Sequence, residues 1–234
     1  ANNETGLVND IAGIAAVCRA AGVLLHTDAA QSAGKIPVSM SALGADLMSV
    51  SAHKMYGPKG IGALVVGEAA RPWLEPLMFG GPQERGLRSG TPATHQAVGF
   101  GRAAAIAVAR SALDAEHTTA LARRLLAGLD GLSGIRCNHA PLDAAAAALG
   151  LPGLVSLSIE GVEGESLLAE LPELAVSSGA ACDSASGEPS YVLRALGLPP
   201  ELAQSTLRIM FGRYSRAADA DLAAAAIRRA VAAL

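Results

Sequence analysis

Lys54 and Asp28 are the first residues whose type and position suit covalent chemistry. Lys54 follows the apolar run 47–50 through Ser51-Ala52-His53 and precedes Tyr56-Gly57-Pro58-Lys59-Gly60, a stretch that turns sharply. An amine at a desolvated strand end loses part of its preference for the charged form and becomes nucleophilic, which suits a Schiff base to an aldehyde cofactor. A surface lysine is the other reading of this residue alone. Asp28 ends the preceding apolar run, one strand-helix-strand step upstream. A pyridine-ring cofactor withdraws electrons only while its ring nitrogen stays protonated, and a buried carboxylate enforces that. A helix cap is the alternative for Asp28. Gln31, one helical turn on, and Asn3 are donors suited to the phenolic oxygen of such a ring. His53 suits proton transfer near neutrality. Ser51 and Thr91 suit a phosphate, Thr91 because it adjoins a helix N-terminus, and both equally suit capping.

Cys182 lies in the run 177–187, made only of Ser, Ala, Gly, Asp and Cys, a composition that suits a mobile loop. An exposed thiol there is a nucleophile or a redox site; an incidental loop cysteine is the alternative. Cys18 and Cys137 lie in or beside apolar patterns and are expected to pack as small hydrophobes. Arg208 alternates with Leu207 and Ile209 on a strand, where its guanidinium suits a substrate carboxylate or a surface salt bridge. His26, His95, His117 and His139 show no metal-ligand spacing and are read as structural, so no metal is expected.

The elements that must carry these residues follow from periodicity. Val8, Ile11, Ile14, Ala15 and Cys18 recur at helical spacing, and Gly22 ends that helix. The short apolar runs 23–25, 47–50 and 61–66 predict buried strands of a largely parallel sheet, whose carboxyl ends are where ligands bind. Asp28 and Lys54 both fall at such ends. The Gly- and Pro-rich stretch 79–90 is expected to be irregular. Thr91 and Pro92 predict the cap and first residue of a long helix through 103–109, with a domain boundary near its end. Leu121, Leu125 and Leu129 mark a further helix. Val155, Leu157 and Ile159 alternate with serines as a half-buried strand. A helix over 165–171, one opened by Pro189 and closed by Gly197, a strand through Leu207, Ile209 and Phe211, and an alanine-rich helix complete the chain. The expected domains are 1–110 and 111–234.

With 234 residues there is room for one large domain or two modest ones. Eighteen basic against 21 acidic residues argue against a nucleic-acid surface or a polybasic membrane anchor. The longest uncharged stretches are broken by Gly and Pro, so none reads as a membrane span, and no signal segment opens the chain. Three cysteines without C-x-x-C spacing fit a reducing cytoplasm. The opening residues Ala-Asn-Asn-Glu-Thr-Gly read as the end of a strand already under way, so a fragment is expected.

Taken together, the sequence resembles the cysteine desulfurases of the class-V aminotransferase group, the NifS/IscS-like enzymes. The motifs are Asn2-Asn3-Glu4-Thr5-Gly6, His26-Thr27-Asp28-Ala29-Ala30-Gln31, Ser51-Ala52-His53-Lys54-Met55-Tyr56-Gly57-Pro58-Lys59-Gly60 and Arg88-Ser89-Gly90-Thr91. To these are added Ser177-Ser178-Gly179-Ala180-Ala181-Cys182, Glu188-Pro189-Ser190-Tyr191-Val192-Leu193-Arg194 and Arg208. The resemblance implies an α/β chain: part of a fold-type-I pyridoxal-phosphate (PLP) domain, mostly parallel sheet with helices, followed by a smaller α+β C-terminal domain. It implies a homodimer in which Lys54 forms the Schiff base, Asp28 pairs with the ring nitrogen, and Asn3 and Gln31 contact the ring oxygen. Ser51 and His53 would hold the phosphate, with Thr91 from the partner subunit, and Arg208 would hold the carboxylate of L-cysteine. Cys182 would take the sulfur as a persulfide, release alanine and pass the sulfur to an acceptor or iron–sulfur scaffold protein. The family's N-terminal Gly-Ala-Thr phosphate loop and ring-stacking histidine have no counterpart here, so a member lacking that portion is expected. A selenocysteine lyase or other class-V lyase, and a non-catalytic sulfur-relay subunit retaining the fold, remain alternatives.

Overall fold

The computed structural model describes residues 1–138, 149–178 and 188–234, which divide into two compact units, 9–111 and 1–8 with 112–234. In the first unit Asp10 starts α1 (Ile11–Ala20) by accepting from the Gly13 amide at 2.9 Å, the usual device for an unpaired helix N–H. The chain then forms β1 (His26–Asp28), crosses over through a turn at 29–36 and the short helix α2 (Met40–Leu43), and returns in β2 (Leu47–Ser51). That crossover allows β1 and β2 to pair in parallel, with Asp28 opposite Ser49. β3 (Gly62–Val66) pairs antiparallel to β2, and Ser51 stands opposite Gly62.

Three expectations are corrected in this sheet. The apolar run 23–25 is not a buried strand: the strand is formed by His26–Asp28 just after it, and Val23 and Leu24 are exposed, because β1 is an edge strand. The third apolar run is antiparallel, because the short connection 52–61 returns the chain beside β2 without a crossover. Its strand is also not buried: Leu64 is 49% and Val65 38% exposed, since β3 is an edge strand in the order β1-β2-β3.

One helix of 35 residues, α3 (Thr94–Gly128), replaces the two that were expected. It contains no proline and no glycine between Gly101 and Gly128, so nothing interrupts its ladder. Thr91 does not cap it. The Ala97 amide donates to the Ala93 carbonyl and the Thr94 amide to the Pro92 carbonyl, both at 3.0 Å, so the helix starts beyond Thr91. Ala103 and Ala107 of α3 pack with Ala33 and Met55 in the first unit. Its Leu121, Ala122 and Leu125 enter the main core of the second.

That second unit holds an antiparallel sheet of β4 (Ile135–Cys137), β5 (Leu154–Ile159), β6 (Ser177–Ser178) and β7 (Thr206–Met210), ordered β4-β5-β7-β6. The helices α4 (Gly164–Ala169), α5 (Tyr191–Ala195) and α6 (Pro200–Gln204) lie between its strands in the chain, and α7 (Ala217–Ala233) follows. Val155, Leu157, Ile159, Leu207 and Ile209 form the core with α3 and with Ala220, Ala223, Ala224 and Ile227 of α7. β5 is buried throughout rather than on one face. Its serines are satisfied inside: Ser158 Oγ lies 2.7 Å from Thr206 Oγ1 and accepts from Asn138 Nδ2 at 2.6 Å. Cys137, expected to pack, is exposed because β4 is an edge. Among the described residues no helix is long and apolar enough to cross a membrane.

Leu157 is fully buried at the centre of this core. Leu157→Ala is expected to lower the unfolding free energy by about 2–5 kcal/mol in urea titrations. Val108→Ala, at a site 79% exposed on α3, should change it by no more than about 0.5 kcal/mol.

Candidate active site

Parallel pairing sets the carboxyl ends of β1 and β2 side by side, with Asp28 last in one strand and Ser51 last in the other. Asp28 Oδ1 accepts from the Ala30 amide at 2.8 Å, turning the chain into 29–36, where Gln31 sits. The Ala33 amide closes that turn on the Ala29 carbonyl at 2.8 Å. Beyond Ser51 comes a 3-10 turn, Ala52–Met55, that carries His53 and Lys54 and ends at Tyr56 in the left-handed region, φ 66°. Ser51 Oγ and His53 Nδ1 are 2.8 Å apart. Asp28, Gln31, Ser51, His53 and Lys54 therefore share one end of one sheet. Among the described residues, the Lys54 ammonium has no hydrogen-bond or ion-pair partner.

The expected desolvation is not found at either key residue. Lys54 and Asp28 are both exposed, because the carboxyl end of this three-stranded sheet is open among the described residues. The Asp28 carboxylate holds a local turn with one oxygen, and no helix begins there, so it is not the helix cap that was its alternative.

Lys35 is the residue that sequence reasoning passed over. Its Nζ donates to the Gln31 carbonyl at 2.8 Å and the Lys54 carbonyl at 3.4 Å. Burial, and secondly the charge of Lys54, push its pKa down to about 8. The available signal was its spacing of four from Gln31 directly after a glycine, which directs the side chain back along the turn.

Asn3 and Arg208 belong to the other unit. Arg208 projects from β7 between Ser156 of β5 and Ser177 of β6 and donates from Nη1 to the Asn3 carbonyl at 2.9 Å. The Asn2 side chain shapes that N-terminal turn by accepting from the Glu4 and Thr5 amides, each at 2.9 Å. Ser190 donates to Glu4 Oε2 at 2.5 Å, with both residues buried, and accepts from the Leu193 amide to cap α5. The cap at Ser190 puts the helix start just past Pro189, where it had been expected. Thr91 is exposed ahead of α3, and no hydrogen bond joins it to the other candidates among the described residues. Cys182 and His139 lie outside the described residues.

A family model for aminotransferase class-V matches residues 1–222. The chain belongs to the aminotransferase class-V family. It is similar to two curated members named cysteine desulfurase IscS. The one from Colwellia psychrerythraea is 51% identical over 230 residues, covering 98% of this chain and 55% of that protein. The one from Vibrio atlanticus is 53% identical with the same coverage. Among solved structures, a NifS-like protein superposes with a TM-score of 0.87 at 33% identity, covering 100% of this chain and 60% of its own. A NifS-like protein from Rickettsia africae does so with a TM-score of 0.86 at 26% identity, covering 99% and 60%. The chain thus spans about half the length of the curated relatives it matches. Class-V members of the desulfurase branch are α/β fold-type-I enzymes that depend on PLP.

The lowered Lys35 pKa has a definite sign in stability. Below about pH 8 folded and unfolded chains both hold the proton, and the cost of the buried charge is fully present. Between there and the unfolded value of 10.5 the folded chain releases its proton first, so this group adds stability as pH rises. The gain is at most about 3 kcal/mol across the window. Urea midpoints from pH 7 to 9.5 should therefore rise for wild type relative to Lys35→Met. A pH-independent difference would overturn this expectation.

Proposed function

We propose that this chain is the lysine- and cysteine-bearing portion of a PLP-dependent cysteine desulfurase, which takes sulfur from L-cysteine and leaves it as a persulfide on Cys182. The observation that carries the reading is the set of unlike groups at one sheet end: a lysine amine with no partner among the described residues, a carboxylate with one oxygen used locally, an amide, and a hydroxyl–imidazole pair. That donor set fits PLP. When bound, PLP supplies an electron sink that labilises bonds at the substrate's α- and β-carbons.

The chain's own residues then divide the work. Lys54 holds the cofactor aldehyde through its amine and is positioned to carry a proton on Nζ. Asp28, through the oxygen not bound to Ala30, keeps the ring nitrogen protonated. Gln31 donates to the ring oxygen, and Ser51 with His53 binds the phosphate. Arg208 takes the substrate carboxylate, with one of its donors already fixed on Asn3. The Cys182 thiolate forms an S–S bond as the substrate's C–S bond breaks. The electron pair and a proton end on the β-carbon as the methyl group of alanine. In this reading residues 1–110 bind the cofactor and 111–234 carry the cysteine. The working form is a cytoplasmic homodimer, with Thr91 reaching the phosphate of the partner subunit's site, that delivers sulfur to an acceptor or iron–sulfur scaffold protein.

Sulfide release from L-cysteine with added PLP and thiol tests the proposal on wild type, Lys54→Ala, Asp28→Asn and Cys182→Ala. Release is expected from wild type and lost in Lys54→Ala and Cys182→Ala. Asp28→Asn should lower kcat by roughly 10²-fold, the scale of losing one positioned charge. Turnover that survives Cys182→Ala would point instead to a lyase that needs no protein thiol, such as a selenocysteine lyase. Silence from every form, wild type included, would favour a sulfur-relay subunit.

A further inference from the structure

Two turns of the first unit meet at a glycine. Gly34 has φ +80°, and a Cβ there would stand 3.0 Å from the Met55 Cβ and 3.1 Å from the Ala107 Cβ. The turn 29–36, which carries Gln31, therefore lies directly against the turn Ala52–Met55, which carries Lys54. A side chain at Gly34 would force Met55 or Ala107 to give by a few tenths of an ångström and would sit at a strained positive φ. Lys35, the next residue, spans the join: its ammonium donates to a carbonyl on each side, Gln31 at 2.8 Å and Lys54 at 3.4 Å.

The choice of partners is informative. Among the described residues no carboxylate forms an ion pair with Lys35, and the charge that acts on it is the like charge of Lys54. A half-buried cation without a counter-ion is a poor way to gain stability. It is an effective way to hold two carbonyls at a fixed separation, because one ammonium has three donors. The Lys54 carbonyl is also one of those that a short helical turn leaves unpaired at its C-terminal end, where a cation is well placed.

We propose that Lys35 is a positioning residue, whose ammonium clamps the Lys54 turn to the Gln31 turn and so fixes where the Lys54 amine projects relative to Asp28 and Gln31. It touches neither cofactor nor substrate in this role. The inference rests on the reading that Lys54 takes the aldehyde of PLP.

The test is PLP binding by the full chain, followed by absorbance titration and by borohydride trapping with mass mapping of the labelled lysine. Wild type, Lys35→Met and Lys35→Arg are compared, with urea midpoints measured on each. Lys35→Met is expected to bind PLP about tenfold more weakly and to trap correspondingly less label on Lys54, with a urea midpoint at pH 7 no lower than wild type. Lys35→Arg, which keeps charge and donors, should restore binding to within about threefold. Equal affinity and label in wild type and Lys35→Met would overturn the clamp while leaving the Lys54 reading intact. So would a binding loss that comes with a fallen midpoint and is not restored by arginine. Wild type that traps no label on Lys54 would sink the Lys54 reading and the clamp with it.

Discussion

Parallel pairing of β1 with β2 is the constraint on which the candidate site depends. Two parallel neighbours cannot be joined by a tight turn, so the chain must leave the end of β1 and travel back before β2 begins. That obligatory detour starts at Asp28 and includes the turn 29–36, which supplies Gln31, Gly34 and Lys35. The same pairing sets the end of β2 beside the end of β1, so the segment leaving Ser51 emerges next to the segment leaving Asp28. Gln31, His53 and Lys54 lie on those two segments, while Asp28 and Ser51 are the last residues of their strands. The backbone ladder fixes where the segments start, and the contact of Gly34 with Met55 fixes how closely they run.

In the second unit the positioning is done differently. Arg208 lies on β7, flanked by β5 and β6, and commits one donor to the Asn3 carbonyl far away in the sequence. The N-terminal turn is held there by side chains rather than by a sheet: Asn2 folds it, and Glu4 is tied to Ser190 at the start of α5. A guanidinium whose orientation is set by a backbone acceptor is better prepared for a planar anion than one left to find its own rotamer, since less freedom is lost on binding.

The end of β2 was legible because its apolar run stops at Ser51-Ala52-His53-Lys54, whereas β1, though it ends at Asp28 as expected, is built from the polar cluster His26-Thr27-Asp28 that follows the apolar run rather than from the run itself. The extent of α3 was not legible. Thr91-Pro92 has the composition of a helix start, and an alanine-rich pattern does not say whether one helix or two lie beneath it. The direction of β3 was hidden because periodicity reports burial and spacing, while pairing direction is decided by the connection. Exposure at Asp28 and Lys54 depends on what packs over the sheet end, which no local pattern encodes. Lys35 escaped notice for a related reason: its acceptors are backbone carbonyls, and carbonyls have no letter in a sequence. Arg208 and Asn3 are brought together by the fold alone.

The open flank of the first unit bears on how this polypeptide behaves in a tube. Among the described residues β3 presents an unpaired ladder edge next to Leu64 and Val65, and elsewhere in the unit Trp73, Leu77 and Phe79 are 77%, 96% and 83% exposed. Unpaired N–H and C=O groups beside uncovered apolar side chains form a template for strand addition by any neighbouring chain. With a net charge of only -3, long-range repulsion offers little protection against such encounters. Such a flank offers a pairing surface to its neighbours even while the Leu-rich core of the second unit stays fully folded.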